Sequence, residues 1–218
     1  MESDKLKEIA SQLRKPDGSK GLEIAAMMEN TNAGMIRQSF SLLDLQSDEF
    51  VLELGPGNGF HVNEIFSIAN IKKYCGLEIS SLMLEASITS NKKFINSGKA
   101  EFRLYDGKTI PYPDGYFDKI FTVNTIYFWE SPLDFLKELK RVLHPEGLLN
   151  ITFADKSFMQ WLPFTAFGFK LYDLEEVKDL AEKAGLKIKF TKSGEEEVKA
   201  KTGELVTRKF LTIGLGWV

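Results

Sequence analysis

Cysteine occurs once in this chain and histidine twice, and both scarcities narrow the chemistry open to it. A lone Cys75 excludes an intrachain disulfide and a cysteine-based zinc cluster. It sits in the apolar run Tyr74-Cys75-Gly76-Leu77, so inert packing is expected rather than a reactive thiol. His61 and His144 are the only ordinary candidates for a base near neutral pH. No apolar run is long enough to span a membrane, and the opening MESDKLKEIA lacks the apolar core of a secretion signal. A soluble cytoplasmic protein is the expectation. An excess of positive charge is missing too: 28 Lys and Arg against 31 Asp and Glu leave a net charge of −3. That balance argues against a general electrostatic hold on nucleic acid. There is no internal repeat, low-complexity segment or interdomain linker, and no Ser-His-Asp set or metal-ligand cluster, so no metal is expected.

What is present is enough for one domain: 218 residues, 43% hydrophobic and 27% charged. An amphipathic helix is predicted over 3–15, closed by the turn signal Pro16-Asp17-Gly18. Apolar residues at helical spacing from Lys20 to about Leu45 predict two helices, parted at the polar break Asn30-Thr31-Asn32. Strands are then predicted at 50–54, 73–78, 100–105, 117–123 and 147–154, with helices at 58–69, 81–95 and 131–143 between them. This alternation means a parallel sheet with helices on both faces. A helix over 174–184 with a glycine stop at Gly185 precedes two strands, near 186–192 and 205–214, expected as an antiparallel pair at one sheet edge. The predicted organisation is a helical cap (1–47), an α/β core (48–155), and an insertion with C-terminal strands (156–218).

The most informative stretch is Val51-Leu52-Glu53-Leu54-Gly55-Pro56-Gly57-Asn58-Gly59-Phe60, a buried strand running into a glycine-rich turn and a helix. Three alternate glycines let the backbone turn sharply and approach a ligand. The free N–H groups of a following helix favour an anionic group such as a carboxylate. The dinucleotide fingerprint needs glycine at the sixth position, which here is Phe60, so a nicotinamide dehydrogenase is disfavoured. Glu78 ends a strand about twenty residues on, where a carboxylate can accept both ribose hydroxyls. Asp106-Gly107 follows the next strand, and its carboxylate is placed for an adenine amine. An N-cap or turn role is the alternative for Asp106, and a solvated strand end for Glu78.

Taken together, these motifs resemble class I S-adenosylmethionine-dependent methyltransferases. Glu53-Leu54-Gly55-Pro56-Gly57-Asn58-Gly59 is similar to that family's E/D-x-G-x-G-x-G loop. Glu78 and Asp106 match its ribose and adenine positions. Pro111-Tyr112-Pro113-Asp114-Gly115-Tyr116-Phe117-Asp118 and Leu139-Lys140-Arg141-Val142-Leu143-His144-Pro145-Glu146-Gly147 resemble its type 11, small-molecule branch. The resemblance implies a Rossmann-like, doubly wound, mostly parallel seven-stranded sheet with an antiparallel C-terminal edge strand. It implies S-adenosylmethionine as cofactor and S-adenosylhomocysteine as product. Gly55, Gly57 and Gly59, with Pro56 and Asn58, would wrap the methionine part, and Glu53 would orient its ammonium. Glu78 would hold the ribose, Asp106 and Gly107 the adenine, and Ile79 and Met83 would pack on the ring. Asn124, after the fourth strand, completes the implied cofactor set.

Methyl transfer is an in-line displacement that alignment and exclusion of water can drive. An acceptor should enter beyond the fourth strand, at Asn124-Thr125-Ile126-Tyr127-Phe128-Trp129. Thr125-Ile126 replaces the two prolines of the N-P-P-Y signature of enzymes that methylate amino groups on nucleic acid or protein. Tyr127 and Trp129, with Trp161 from the aromatic segment 158–169, are the candidate substrate pocket, against simple core packing. His61 and Tyr127 are the candidate catalytic residues, with turn packing as the alternative for His61. Met27, Met28, Asn30, Asn32 and Met35 are candidates to cover the site. The expected activity is methylation of a small apolar or aromatic acceptor by a monomer or homodimer. Protein or RNA methylation, or a non-catalytic cofactor-binding module, are the competing readings.

Overall fold

In the computed structural model, residues 2–199 and 205–218 are described. Helices α1 (Glu2–Arg14) and α2 (Gly18–Ser41) precede strand β1 (Phe50–Leu54). The chain continues through α3 (Val62–Ile68), β2 (Lys73–Glu78), α4 (Ser81–Ser90), α5 (Lys92–Asn96), β3 (Ala100–Leu104) and β4 (Phe117–Val123). Helix α6 (Pro132–Val142), β5 (Leu143–Ala154), α7 (Lys156–Met159) and α8 (Leu174–Lys183) follow, before β6 (Leu186–Lys199) and β7 (Leu205–Trp217). The sheet order is β3-β2-β1-β4-β5-β7-β6. Strands β1 to β5 run parallel to one another, and β7 runs antiparallel to both β5 and β6. The antiparallel strand therefore lies one place in from the edge, and β6 is the edge.

Burial on both faces explains the continuous apolar strands. On one face Leu52, Leu54, Cys75 and Ile120 pack with Phe135 and Leu139 of α6 and Val177 and Ala181 of α8. On the other, Val51, Tyr74 and Phe121 pack with Phe40 of α2 and with Val62 and Ile65 of α3. Alternation along a strand puts Glu53 on the same face as Val51, toward α2 and α3.

Three expected boundaries move. The polar break at Asn30-Thr31-Asn32 does not divide the second helix, because Asn30 Nδ2 and Thr31 Oγ1 donate to the carbonyls of Ala26 and Met27 at 3.1 and 3.0 Å. Back-bonding of this kind keeps such residues within a helix. The helix expected over 81–95 is split at Asn91, whose backbone leaves the helical region (φ −115°, ψ 19°) while its Nδ2 donates to the Gly59 carbonyl. The charged stretch after 192 continues as strand to Lys199, because its partner β7 extends with it from Leu205. Residues 200–204 of that stretch lie outside the described residues.

Candidate functional site

The C-terminal ends of β1, β2 and β4 open into a cavity of about 760 Å³ roofed by α1 and α2. The strand-end rule for open α/β sheets places a ligand there. The glycine loop forms its floor. Gly55, Gly57 and Gly59 have φ of 70°, 58° and 66°, a region that side-chain-bearing residues rarely enter. A Cβ on Gly55 would lie 2.9 Å from Thr125 Cγ2, and one on Gly59 would lie 2.8 Å from Asn91 Nδ2. Gly57 faces open space, so its backbone is the part offered to a ligand. The helix expected from 58 begins only at Val62. Residues 56–61 instead make tight turns, with Gly59 N–H donating to the Pro56 carbonyl and Val62 N–H to the Gly59 carbonyl. Asn58 Nδ2 reaches up to Glu29 Oε2 on α2 at 2.7 Å, tying the roof to the loop.

The three acidic residues all line this cavity. Glu78 is nearly buried, and its Oε1 accepts from the Ile79 and Ser80 N–H groups at 2.8 and 2.9 Å. Its Oε2 accepts from Gly57 N–H at 3.2 Å. Burial pushes the Glu78 carboxyl above the usual range, and these backbone donors oppose the shift. A carboxylate offers about four acceptor positions. Three backbone donors occupy it here. Asp106 Oδ1 caps the N–H groups of Lys108 and Thr109, which hold its carboxyl below the usual range. The turn role is therefore real, and Asp106 still borders the cavity beside Gly107, Ile79 and Met83. Glu53 accepts from Tyr74 and lies 2.6 Å from His61 Nε2.

Asn124 closes the far wall with a left-handed backbone, φ 58°. Ala154 N–H and the Tyr127 hydroxyl both donate to its Oδ1, which fixes the amide orientation. Its Nδ2 then donates to Asn32 Oδ1 on α2, which also accepts from Arg208 Nη1 of β7, both at 3.2 Å. Arg208 further binds the Thr31 carbonyl and pairs with Glu196 of β6 at 2.6 Å. This latch across three elements left no trace in the sequence, since Asn32 and Arg208 stand far apart along the chain. Phe128 and Trp129 line the cavity, whereas Tyr127 does not. The Tyr127 hydroxyl is turned inward to the Ala154 carbonyl, and burial raises its pKa far above the ordinary phenol value. Tyr127 thus shapes the wall from behind. Trp161 is 79% exposed and lies away from the cavity, which corrects its expected place in a substrate pocket. The aromatic segment instead packs against α1 and, through Phe169, behind Phe128. The roof is built by Met28, Glu29, Asn32, Ala33 and Ile36, while Met35 is buried beneath it and Met27 faces outward.

A flexible glycine floor, two buried carboxylates and an apolar flank at Ile79 and Met83 fit a cofactor that is cationic at one end and a nucleoside at the other. Residues 52–151 match the family described as a methyltransferase domain. The chain is 26% identical over 134 residues to malonyl-[acyl-carrier protein] O-methyltransferase of Marinomonas sp., covering 62% of this chain and 48% of that protein. It is 35% identical over 98 residues to tRNA U34 carboxymethyltransferase of Nautilia profundicola, covering 44% and 31%. The chain thus spans less than half the length of these curated relatives. Among solved structures, a SAM-dependent methyltransferase from Aquifex aeolicus shares the fold, with TM-score 0.62, 23% identity and coverage of 82% and 87%. Among the described residues no helix is long and apolar enough to cross a membrane. Residues 52–151 thus match a type 11 methyltransferase domain, and the chain shares its fold with a solved SAM-dependent methyltransferase.

Proposed function

We propose that the protein transfers a methyl group to a small apolar or aromatic acceptor by in-line displacement. The observation that carries this reading is the continuity of the cavity. One space joins the Gly57–Glu78–Asp106 end, suited to a nucleoside, to the Asn124–Phe128–Trp129 end beneath α2. S-adenosylmethionine, when bound, supplies a methyl on a positively charged sulfur that leaves readily. The chain's own contribution is then to align and to exclude water. Gly57 lets the backbone close on the amino-acid part, Glu78 takes a ribose hydroxyl, and Asp106 with Gly107 borders the base. Phe128, Trp129, Met28 and Ile36 present apolar surface to the acceptor end.

The open apolar end favours an enzyme over a binding module, which would have no use for a second compartment. Long nucleic acid is disfavoured as the acceptor by charge. The cavity lining holds six acidic side chains against four Lys and Arg, and of these Arg14 and Lys108 both pair with Glu130, at 3.7 and 2.8 Å. The test is calorimetric titration with S-adenosylmethionine and S-adenosylhomocysteine, followed by an acceptor screen read by homocysteine release. Binding of both ligands, and turnover on aromatic or aliphatic small molecules, is expected. Turnover on tRNA or protein alone would replace the acceptor class, and no binding by folded protein would overturn the function.

A further inference from the structure

His61 is the chain's one histidine in the cavity wall, and one of its ring nitrogens is turned to a buried carboxylate. Its Nε2 lies 2.6 Å from Glu53 Oε2, and its ring stands edge-on to Phe121 at 6.4 Å. The Tyr74 hydroxyl binds the same oxygen of Glu53. Burial pushes the Tyr74 phenol well above its ordinary pKa, so it remains a donor. Both donors therefore converge on Oε2. Glu53 is only 2% exposed, yet among the described residues no Lys or Arg pairs with it. Arg37, in the same wall, is bound to Glu64 at 2.8 Å. A buried carboxylate without a fixed cation is costly unless a cationic ligand arrives. Glu78 adds a second buried carboxylate to the same cavity.

We propose that His61 and Tyr74 are positioning residues, which hold Glu53 through Oε2 so that its other oxygen receives a primary ammonium in the cavity. The inference rests on the methyltransferase reading, in which that ammonium belongs to the amino-acid end of the cofactor. Local structure makes the arrangement possible. Glu53 and Tyr74 sit on neighbouring parallel strands, with Glu53 opposite Gly76, and both turn toward α3. His61 is delivered to them by the turn that follows Gly59. In this role His61 acts through Glu53, with Nε2 as the donor.

The test compares two nucleosides that differ at the ammonium. S-adenosylhomocysteine carries the amino-acid group, and 5′-deoxy-5′-methylthioadenosine carries the same nucleoside and sulfur without it. Calorimetric titration of the full chain is made with wild type, His61→Ala, His61→Gln and Tyr74→Phe, each checked for folding by circular dichroism. Loss of one hydrogen bond to a charged group should weaken S-adenosylhomocysteine roughly tenfold in His61→Ala and Tyr74→Phe. Binding of methylthioadenosine should be unchanged, and His61→Gln, which keeps an N–H donor, should recover part of the loss. Equal weakening of both nucleosides, or no weakening of either, overturns the positioning role. Wild type that binds neither nucleoside overturns the function itself, and with it this inference, and is seen before any variant is made. Tyr74→Phe removes only a hydroxyl from a fully buried ring, so it provides a second route should the His61 variants fail to fold.

Discussion

Replacing Glu78 by glutamine exchanges one heavy atom and removes a charge, and should disturb both the loop and the cofactor. In the wild type, Oε1 accepts from Ile79 and Ser80 N–H, and Oε2 from Gly57 N–H at 3.2 Å. A glutamine can keep its carbonyl on the first pair, but its amide nitrogen then meets the Gly57 N–H, donor against donor. Turning the amide over saves Gly57 and orphans two donors instead. An unsatisfied buried donor costs about 1–3 kcal/mol, and the open cavity lets water relieve part of it, so a stability loss of about 1–2 kcal/mol is expected. The ribose contact and the placement of Gly57 are lost together, which should weaken S-adenosylhomocysteine by about 2–3 kcal/mol, on the order of a hundredfold. Urea unfolding and calorimetry on the same preparation measure the two effects. A Glu78→Gln protein with wild-type unfolding midpoint and wild-type affinity would refute the assigned hydrogen bonds and the ribose role at once.

Other substitutions probe other parts of the structure. Arg208→Met should destabilise by about 2–4 kcal/mol, because it leaves Glu196 without its cation and takes a donor from Asn32 and from the Thr31 carbonyl, and Arg208→Met with Glu196→Gln should recover most of this. A loss below about 0.5 kcal/mol in urea unfolding would remove the latch as a stabilising feature. Glu101 is partly buried, which raises its pKa, but Lys73 at 2.6 Å and the Tyr112 hydroxyl more than offset this and hold it low. A carboxyl lowered in the folded state stabilises above its unfolded pKa, near about 4.3, and that stability is lost as pH falls through the lowered folded value. Wild type should therefore exceed Glu101→Gln in stability at neutral pH, and unfolding curves taken at decreasing pH should converge. Trp161→Ser should leave stability within about 0.5 kcal/mol and cofactor affinity unchanged, since the ring is largely exposed. A clear fall in affinity in calorimetry would return Trp161 to the site.

Much of the core was legible because its signals are local. Glycines at three alternate positions, a strand before them and acids at two later strand ends depend only on spacing along the chain. The strands at 50–54, 73–78 and 117–123 emerged with the bounds that their apolar runs predicted. Where side chains had a choice of partner, local reading failed. Asn30 and Thr31 look like a helix break until their back-bonds to Ala26 and Met27 are seen. Trp161 and Tyr127 carry the same aromatic signal, yet one is out in solvent and the other is sealed behind the cavity wall.

The sequence by itself determined the family resemblance, the nucleotide-type loop and the acids that face it, because a βα turn and the strand ends beside it are set within a few tens of residues. Tertiary structure alone decided how those acids are used. Glu78 spends three of its acceptor positions on the backbone, Glu53 is shared by Tyr74 and His61, and the roof is fastened through Arg208 and Asn32, which stand 176 residues apart. Such contacts join elements whose meeting depends on the whole sheet order, and no spacing rule along the chain can encode them.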